Sequence, residues 1–137
     1  MEKCAQRANV VESKVLLVKG RAEALPFRDH YFDTLVTAWT LCSIDDIEGA
    51  LREFRRVLQP RGKLLFIEHG RSSEDTVTKW QDLLTPVTMA VSGGCRINRP
   101  IEKLLRNAGF QVLHMTTHYA GVLKPFVFMY EGCAVNP

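Results

Sequence analysis

The chain has 137 residues, 46% of them hydrophobic and 24% charged, with a formal net charge of +3; this describes one ordinary soluble domain with a modest core and no second domain. The basic residues are spread along the chain, with local groups in "LREFRRVLQPRGK" and "CRINRP", so no dominant basic face marks a nucleic-acid partner, and the first group reads as a solvated helix face. Apolar runs such as residues 15–18 and 64–67 fall far short of the roughly 18 residues of a membrane span. The chain shows no signal-peptide pattern. Cys4, Cys42, Cys95 and Cys133 are dispersed without a CxxC pair, which argues against a structural zinc site and for reduced thiols in a cytoplasmic protein; Cys42 reads as a small buried side chain.

Short β-rich runs alternate with helical patterns, which predicts an α/β fold with a mostly parallel sheet. The expected strands are residues 15–19, 34–38, 63–69, 111–117 and 126–131. Between the second and third, Ile47, Ala50, Leu51, Phe54, Val57 and Leu58 fall on one helical face, with Asp45 as the cap and Glu48 completing a capping box. A second helical stripe runs through Val77, Trp80, Leu84, Val87 and Val91; Pro86 is expected to kink or end it, and Gly93-Gly94 to close it. Asn98 and Pro100 open a short helix carrying Ile101, Leu104, Leu105 and Ala108, which Gly109 ends in a left-handed cap. The loop carrying Gly121 and Pro125 is short enough to pair the last two strands antiparallel.

The segment "GRAEALPFRDHYFDTLVTAWTLCSIDDIEGALREFRRVLQPRGKLLFIEHG", continued by "WQDLLTP", "GGCRINRP", "LLRNAGF" and "PFVFMYEGCAV", resembles a class I S-adenosylmethionine-dependent methyltransferase. The similarity is to the branch holding thiol S-methyltransferases and ubiquinone–menaquinone methyltransferases, and it covers essentially the whole chain. It implies a Rossmann-like sheet with an antiparallel last strand and S-adenosylmethionine as cofactor. By the same resemblance, the loop at Arg21, Ala22 and Glu23 lies along the adenine. The family usually has Asp or Asn where this chain has Arg21, and a guanidinium accepts no hydrogen bond. Trp39, Thr40 and Leu41 correspond to the strand end that contacts the sulfonium side, where the Trp39 ring faces the cation and Leu41 has packing as its other role.

Class I methyltransferases begin with a strand and a Gly-rich "LDxGxGxG" loop, then a strand ending in an acid for the ribose. Neither occurs in these 137 residues, so the expectation is a partial domain, residues 1–137, lacking the first βαβ part. Such a chain is expected to hold the cofactor weakly or not at all alone.

Methyl transfer from a sulfonium is an in-line displacement favoured by a dry pocket that aligns donor and acceptor, and it needs no metal. Residues 80–91 are the expected lid. A neutral acceptor must lose a proton, and His69, at a strand's carboxyl end in "FIEHG", is the candidate general base, with Glu68 as runner-up; the other reading is that His69 orients Glu68 or caps the loop.

The sequence therefore suggests methyl transfer to a small apolar acceptor: a thiol, a lipid or a quinone-like molecule. The rival is a non-catalytic remnant of the fold acting as a protein-interaction module. A nicotinamide-dependent oxidoreductase is disfavoured because its glycine fingerprint is also absent. An open edge on "TLVTA" further suggests a homodimer.

Overall fold

The structure is a computed structural model that describes residues 15–137. Four strands form one sheet: β1 (Phe32–Ala38), β2 (Leu58–His69), β3 (Gln111–Tyr119) and β4 (Phe128–Val135), in the order β1-β2-β4-β3. β1 and β2 are parallel, and β4 lies antiparallel to both β2 and β3. β1, β2 and β3 thus share one direction and only the last strand is reversed, as a Rossmann-like sheet with an antiparallel final strand requires. The helices are α1 (Ile47–Val57), α2 (Asp75–Val91) and α3 (Ile101–Asn107).

α1 lays Ala50, Leu51 and Phe54 on the sheet, where they meet Leu58, Leu64 and Phe66 of β2 and Ile101 and Leu105 of α3 in the main core, and its Val57 is buried as well. Its cap is Asp46, not Asp45: Asp46 Oδ1 accepts from Gly49 N–H at 2.8 Å, while the Asp45 carboxylate pairs with Arg96 at 2.7 Å. Gly109, at φ +88°, ends α3 in the left-handed region, and Phe110 is buried behind it. Gly93 and Gly94, at φ +62° and +86°, close α2.

Three sequence expectations need correction. Residues 15–20 form no strand; a strand exists only with a paired neighbour, and among the described residues that run has none. α2 continues through Pro86, because proline removes one backbone bond while Thr85 Oγ1 donates to the Gln81 carbonyl at 2.7 Å beside it. α2 also buries only part of its apolar stripe. Val77, Gln81, Thr85 and Thr88 face inward, and Trp80, Leu83, Val87 and Val91 are exposed.

The reason for this inverted face is hydrogen bonding. Gln81 is fully buried; its Oε1 accepts from Ser72 N–H at 2.9 Å, and its Nε2 donates to the carbonyls of Gly70 and Pro125 at 3.0 and 3.1 Å. Loop backbone trapped under the helix needs these partners, so polar residues win positions that hydrophobicity alone assigns to Trp80 and Val87.

The basic group on α1 is likewise not a solvated face. Arg56 donates to the carbonyls of Leu25 and Phe27 and pairs with Asp29 and Glu53, and Glu53 Oε2 accepts from Leu25 N–H at 2.9 Å. Arg56 holds the Glu53 carboxyl well below the usual carboxylate range. Arg55 donates to Asn136 Oδ1 and the Ala108 carbonyl. These arginines fasten the 21–27 loop and the chain's end to α1.

Candidate active site

β1 and β2 end side by side, and the chain leaving β1 turns abruptly at Trp39, whose φ of +53° is left-handed for a residue carrying a bulky side chain. Two contacts hold the turn. Trp39 N–H donates to the Ile67 carbonyl at 2.9 Å, and Glu68 Oε2 accepts from the N–H groups of Thr40 and Leu41 at 2.9 and 3.0 Å. Glu68 is fully buried, and burial pushes its carboxyl up to about 7 against the opposing pull of the Leu41 and Thr40 amides. Its Oε1 and the nearby Thr37 hydroxyl are buried without partners.

This geometry removes Glu68 from the reactive set: its carboxylate is spent on the turn and does not line the cleft beside it. Leu41 packs in the main core. Thr40 is exposed, with its hydroxyl donating to the Ala38 carbonyl at 2.9 Å. Trp39 lies against His69, ring centroids 4.0 Å apart.

His69 and Trp39 line a cleft of about 310 Å³ with Cys42, Ser43, Thr88, Ser92, Cys95, Ile97 and Phe126. His69 is half-buried; its Nδ1 is 3.9 Å from Cys95 Sγ, and its Nε2 is buried with no partner. Cys42, His69 and Cys95 each present a donor atom, all within 4.8 Å of one another. The Cys95 thiol facing Cys42 Sγ holds Cys42 well below the ordinary thiol value against the cost of burial, and Cys95 is pushed up correspondingly. Sequence reasoning discounted the cysteines for want of a CxxC motif. The fold brings two of them together with His69 from the ends of β1, β2 and α2.

The loop residues occupy a separate place. Arg21 is exposed and reaches Glu23 at 3.6 Å, its carbonyl accepts from Ala24 N–H at 3.1 Å, and Ala22 packs on the core. Arg21 and Ala22, with Leu16, Val18, Phe27 and Tyr31, border a wider cleft of about 630 Å³; Glu23 does not line it. The two clefts share no lining residue, so among the described residues no single cavity joins the loop to the strand ends.

Strand ends gathering a cleft at the carboxyl edge of a partly parallel sheet are the position at which open α/β folds bind ligands. The sequence profile described as "Methyltransferase domain" matches residues 1–66. Over those residues the chain is similar to the methyltransferase domain family. That family's methyl donor is S-adenosylmethionine. The ubiquinone/menaquinone biosynthesis C-methyltransferase UbiE of Shewanella oneidensis is 41% identical over 73 residues, covering 53% of this chain and 29% of that protein. UbiE of Shewanella woodyi is 37% identical over 83 residues, covering 61% and 33%. The chain thus spans about a third of the length of these curated relatives.

Solved structures share the fold across nearly the whole chain. A methyltransferase-like protein from Bacillus halodurans superposes with a TM-score of 0.74 at 16% identity, covering 98% of this chain and 77% of that one. The [4+2]-cyclase SpnF superposes at 0.70 with 20% identity, covering 99% and 60%. A cyclase among class I methyltransferase folds illustrates that this architecture alone does not fix the chemistry. No helix among the described residues is long and apolar enough to cross a membrane.

Proposed function

We propose that the protein takes part in S-adenosylmethionine-dependent methyl transfer to a small apolar acceptor carrying a thiol or a quinone-like ring, with the acceptor in the cleft lined by Trp39 and His69. One observation carries this reading: the ends of β1, β2 and α2 place an aromatic face, an imidazole and two thiols around one small, largely apolar cleft. The resemblance to UbiE proteins supports a quinone-related acceptor, and the apolar walls Ile97 and Phe126 suit either class.

The chemistry asks little of the protein beyond alignment and exclusion of water. Trp39 offers its ring to a sulfonium, and His69 is the candidate base for a neutral acceptor. The loop at Arg21, Ala22 and Glu23 is the candidate for the adenine side, with Arg21 and Ala22 bordering the wider cleft.

The test is transfer of a labelled methyl group. The 137 residues contain no Gly-rich loop, so the labelled cofactor is supplied at millimolar concentration with an aliphatic thiol, a quinol or a lipid. Labelled thioether or C-methylated ring supports the reading, and replacement of Trp39 by Ala abolishes the product. Cofactor binding without product from any acceptor overturns it.

A further inference from the structure

We propose that Cys42, His69 and Cys95 form a zinc-binding site of the Cys2His type whose fourth coordination position opens onto the Trp39 cleft. Zinc takes thiolate sulfur at about 2.3 Å and imidazole nitrogen at about 2.0–2.1 Å, so tetrahedral donors stand about 3.5–3.8 Å apart. The three donor atoms here lie within 4.8 Å of one another, and Cys95 Sγ is 3.9 Å from His69 Nδ1. Closing this triangle onto an ion requires movements of about 1 Å or less, within side-chain reach.

The surroundings favour coordination. Both thiols are buried, at 2% and 8% exposure, and they face each other with weak outer hydrogen bonds: Cys42 Sγ has Ser43 Oγ at 3.5 Å, and Cys95 Sγ has the long contact to His69. One imidazole nitrogen faces Cys95 and the other is buried without a partner, so no competing hydrogen bond must be broken. The donors are also held from behind. Arg96 N–H donates to the Cys42 carbonyl at 2.9 Å and Thr88 Oγ1 to the Cys95 carbonyl at 2.8 Å, which ties the two cysteine-bearing segments to each other and to α2.

The buried Arg99 guanidinium donates to the carbonyls of Leu41 and Ile44 on either side of Cys42, setting a fixed positive charge behind the thiolate pair. Two thiolates and one imidazole select a thiophilic divalent ion over magnesium or calcium. Three protein ligands with a fourth position open to a cleft is the arrangement of a reactive zinc site, whereas a structural one is closed by a fourth side chain.

The site deepens the methyl-transfer reading and in this respect rests on it. An acceptor thiol entering the open position binds as a thiolate, its proton passing to solvent, and stands beside Trp39 as the nucleophile. With the ion present, His69 is a ligand, and the ion in its place ionises the acceptor.

The experiment uses the reduced 137-residue protein under anaerobic conditions, titrated with Co(II) as the spectroscopic probe. Expected are one equivalent of metal, near-ultraviolet thiolate-to-cobalt charge-transfer bands, intense tetrahedral visible bands, and displacement by zinc. Cys42→Ser and Cys95→Ser should each weaken zinc binding by more than about 100-fold, beyond what loss of an outer partner does, while Cys133→Ser leaves it unchanged. Should the cysteine variants fail to fold, the wild-type protein still decides: one equivalent of zinc must shield two thiols from a thiol reagent. No stoichiometric uptake, uptake without charge-transfer bands, or shielding of no thiol overturns the site. Adding a small free thiol should shift the cobalt spectrum; metal uptake with no such shift overturns the open position and leaves the three-ligand site standing. Because none of these readouts uses the methyl donor, failure of the metal site and failure of methyl transfer are told apart.

Discussion

Glu68 and Leu41 are joined across the ends of two neighbouring strands: the buried carboxylate accepts the Leu41 amide at 3.0 Å and, with the same oxygen, the Thr40 amide at 2.9 Å. The sharp turn that delivers Trp39 to the cleft depends on this contact, yet the carboxyl sits in surroundings that favour its neutral form. Its folded value of about 7 lies above the ordinary 4.5, so the folded state binds the proton more tightly than the unfolded state. Stability from this group is fully present below pH 4.5 and is lost as pH rises through about 7, a total of about 3 kcal/mol. Urea unfolding at pH 5 and pH 8 checks it: the wild-type protein should lose stability relative to Glu68→Gln, which keeps an acceptor oxygen but has no proton to lose. A difference between the two proteins that does not change with pH would reject the shift.

Gln81 is the second buried polar residue on which the cleft depends. It satisfies backbone groups of Gly70, Ser72 and Pro125 at once. Replacing it with Leu conserves bulk but leaves one N–H and two carbonyls unpaired under α2, so Gln81→Leu should cost about 2–4 kcal/mol. The control is Trp80→Gln, which alters an exposed neighbour and should change stability by less than about 0.5 kcal/mol. Equal denaturation midpoints for the wild type and Gln81→Leu would show that the loop finds other partners.

The His69 ring stands 4.0 Å from that of Trp39 in a cleft it shares with both thiols. In protein stripped of metal by a chelator, where the imidazole serves as base, His69→Ala should lower the rate of transfer to a neutral acceptor by roughly 100-fold or more. An unchanged rate rejects the base role. A pre-ionised thiolate acceptor needs no base and should be methylated at the same rate by both proteins.

The alternation of strands and helices was readable because period-two and period-3.6 patterns follow directly from which face is buried, as Phe54 and Leu64 illustrate. The inward face of α2 was not, since Gln81 and Thr88 are buried to satisfy Gly70 and Cys95 carbonyls whose positions depend on tertiary structure. Residues 15–19 have strand composition, but a strand is a property of a pair. The cluster of Cys42, His69 and Cys95 was equally hidden: donors from three separate elements leave no local spacing to read, and only convergence of the ends of β1, β2 and α2 makes them neighbours. Glu68 was legible as important beside His69, but whether its carboxylate faces the cleft or the Thr40 and Leu41 amides depends on the turn at Trp39, which the sequence does not signal.

The final prediction concerns assembly. Among the described residues β1 pairs only with β2, on one side, and its other edge runs along "FDTLVTA", which contains no Lys or Pro. Val36 on this strand is 67% exposed. Unpaired N–H and C=O groups beside exposed apolar side chains favour pairing with another strand, and a second copy offers the same edge, so a two-fold contact closes on itself. The protein should therefore elute as a dimer at micromolar concentration in size-exclusion chromatography with light scattering. Val36→Lys, which places a charge beside the edge without touching the core, should shift it to monomer while preserving its circular dichroism. A wild-type monomer under these conditions would mean that the edge is covered from within the chain, and would sink the prediction; a dimer unaffected by Val36→Lys would place the contact on another face, for which the exposed α2 stripe of Trp80, Leu83, Val87 and Val91 is the next surface to substitute.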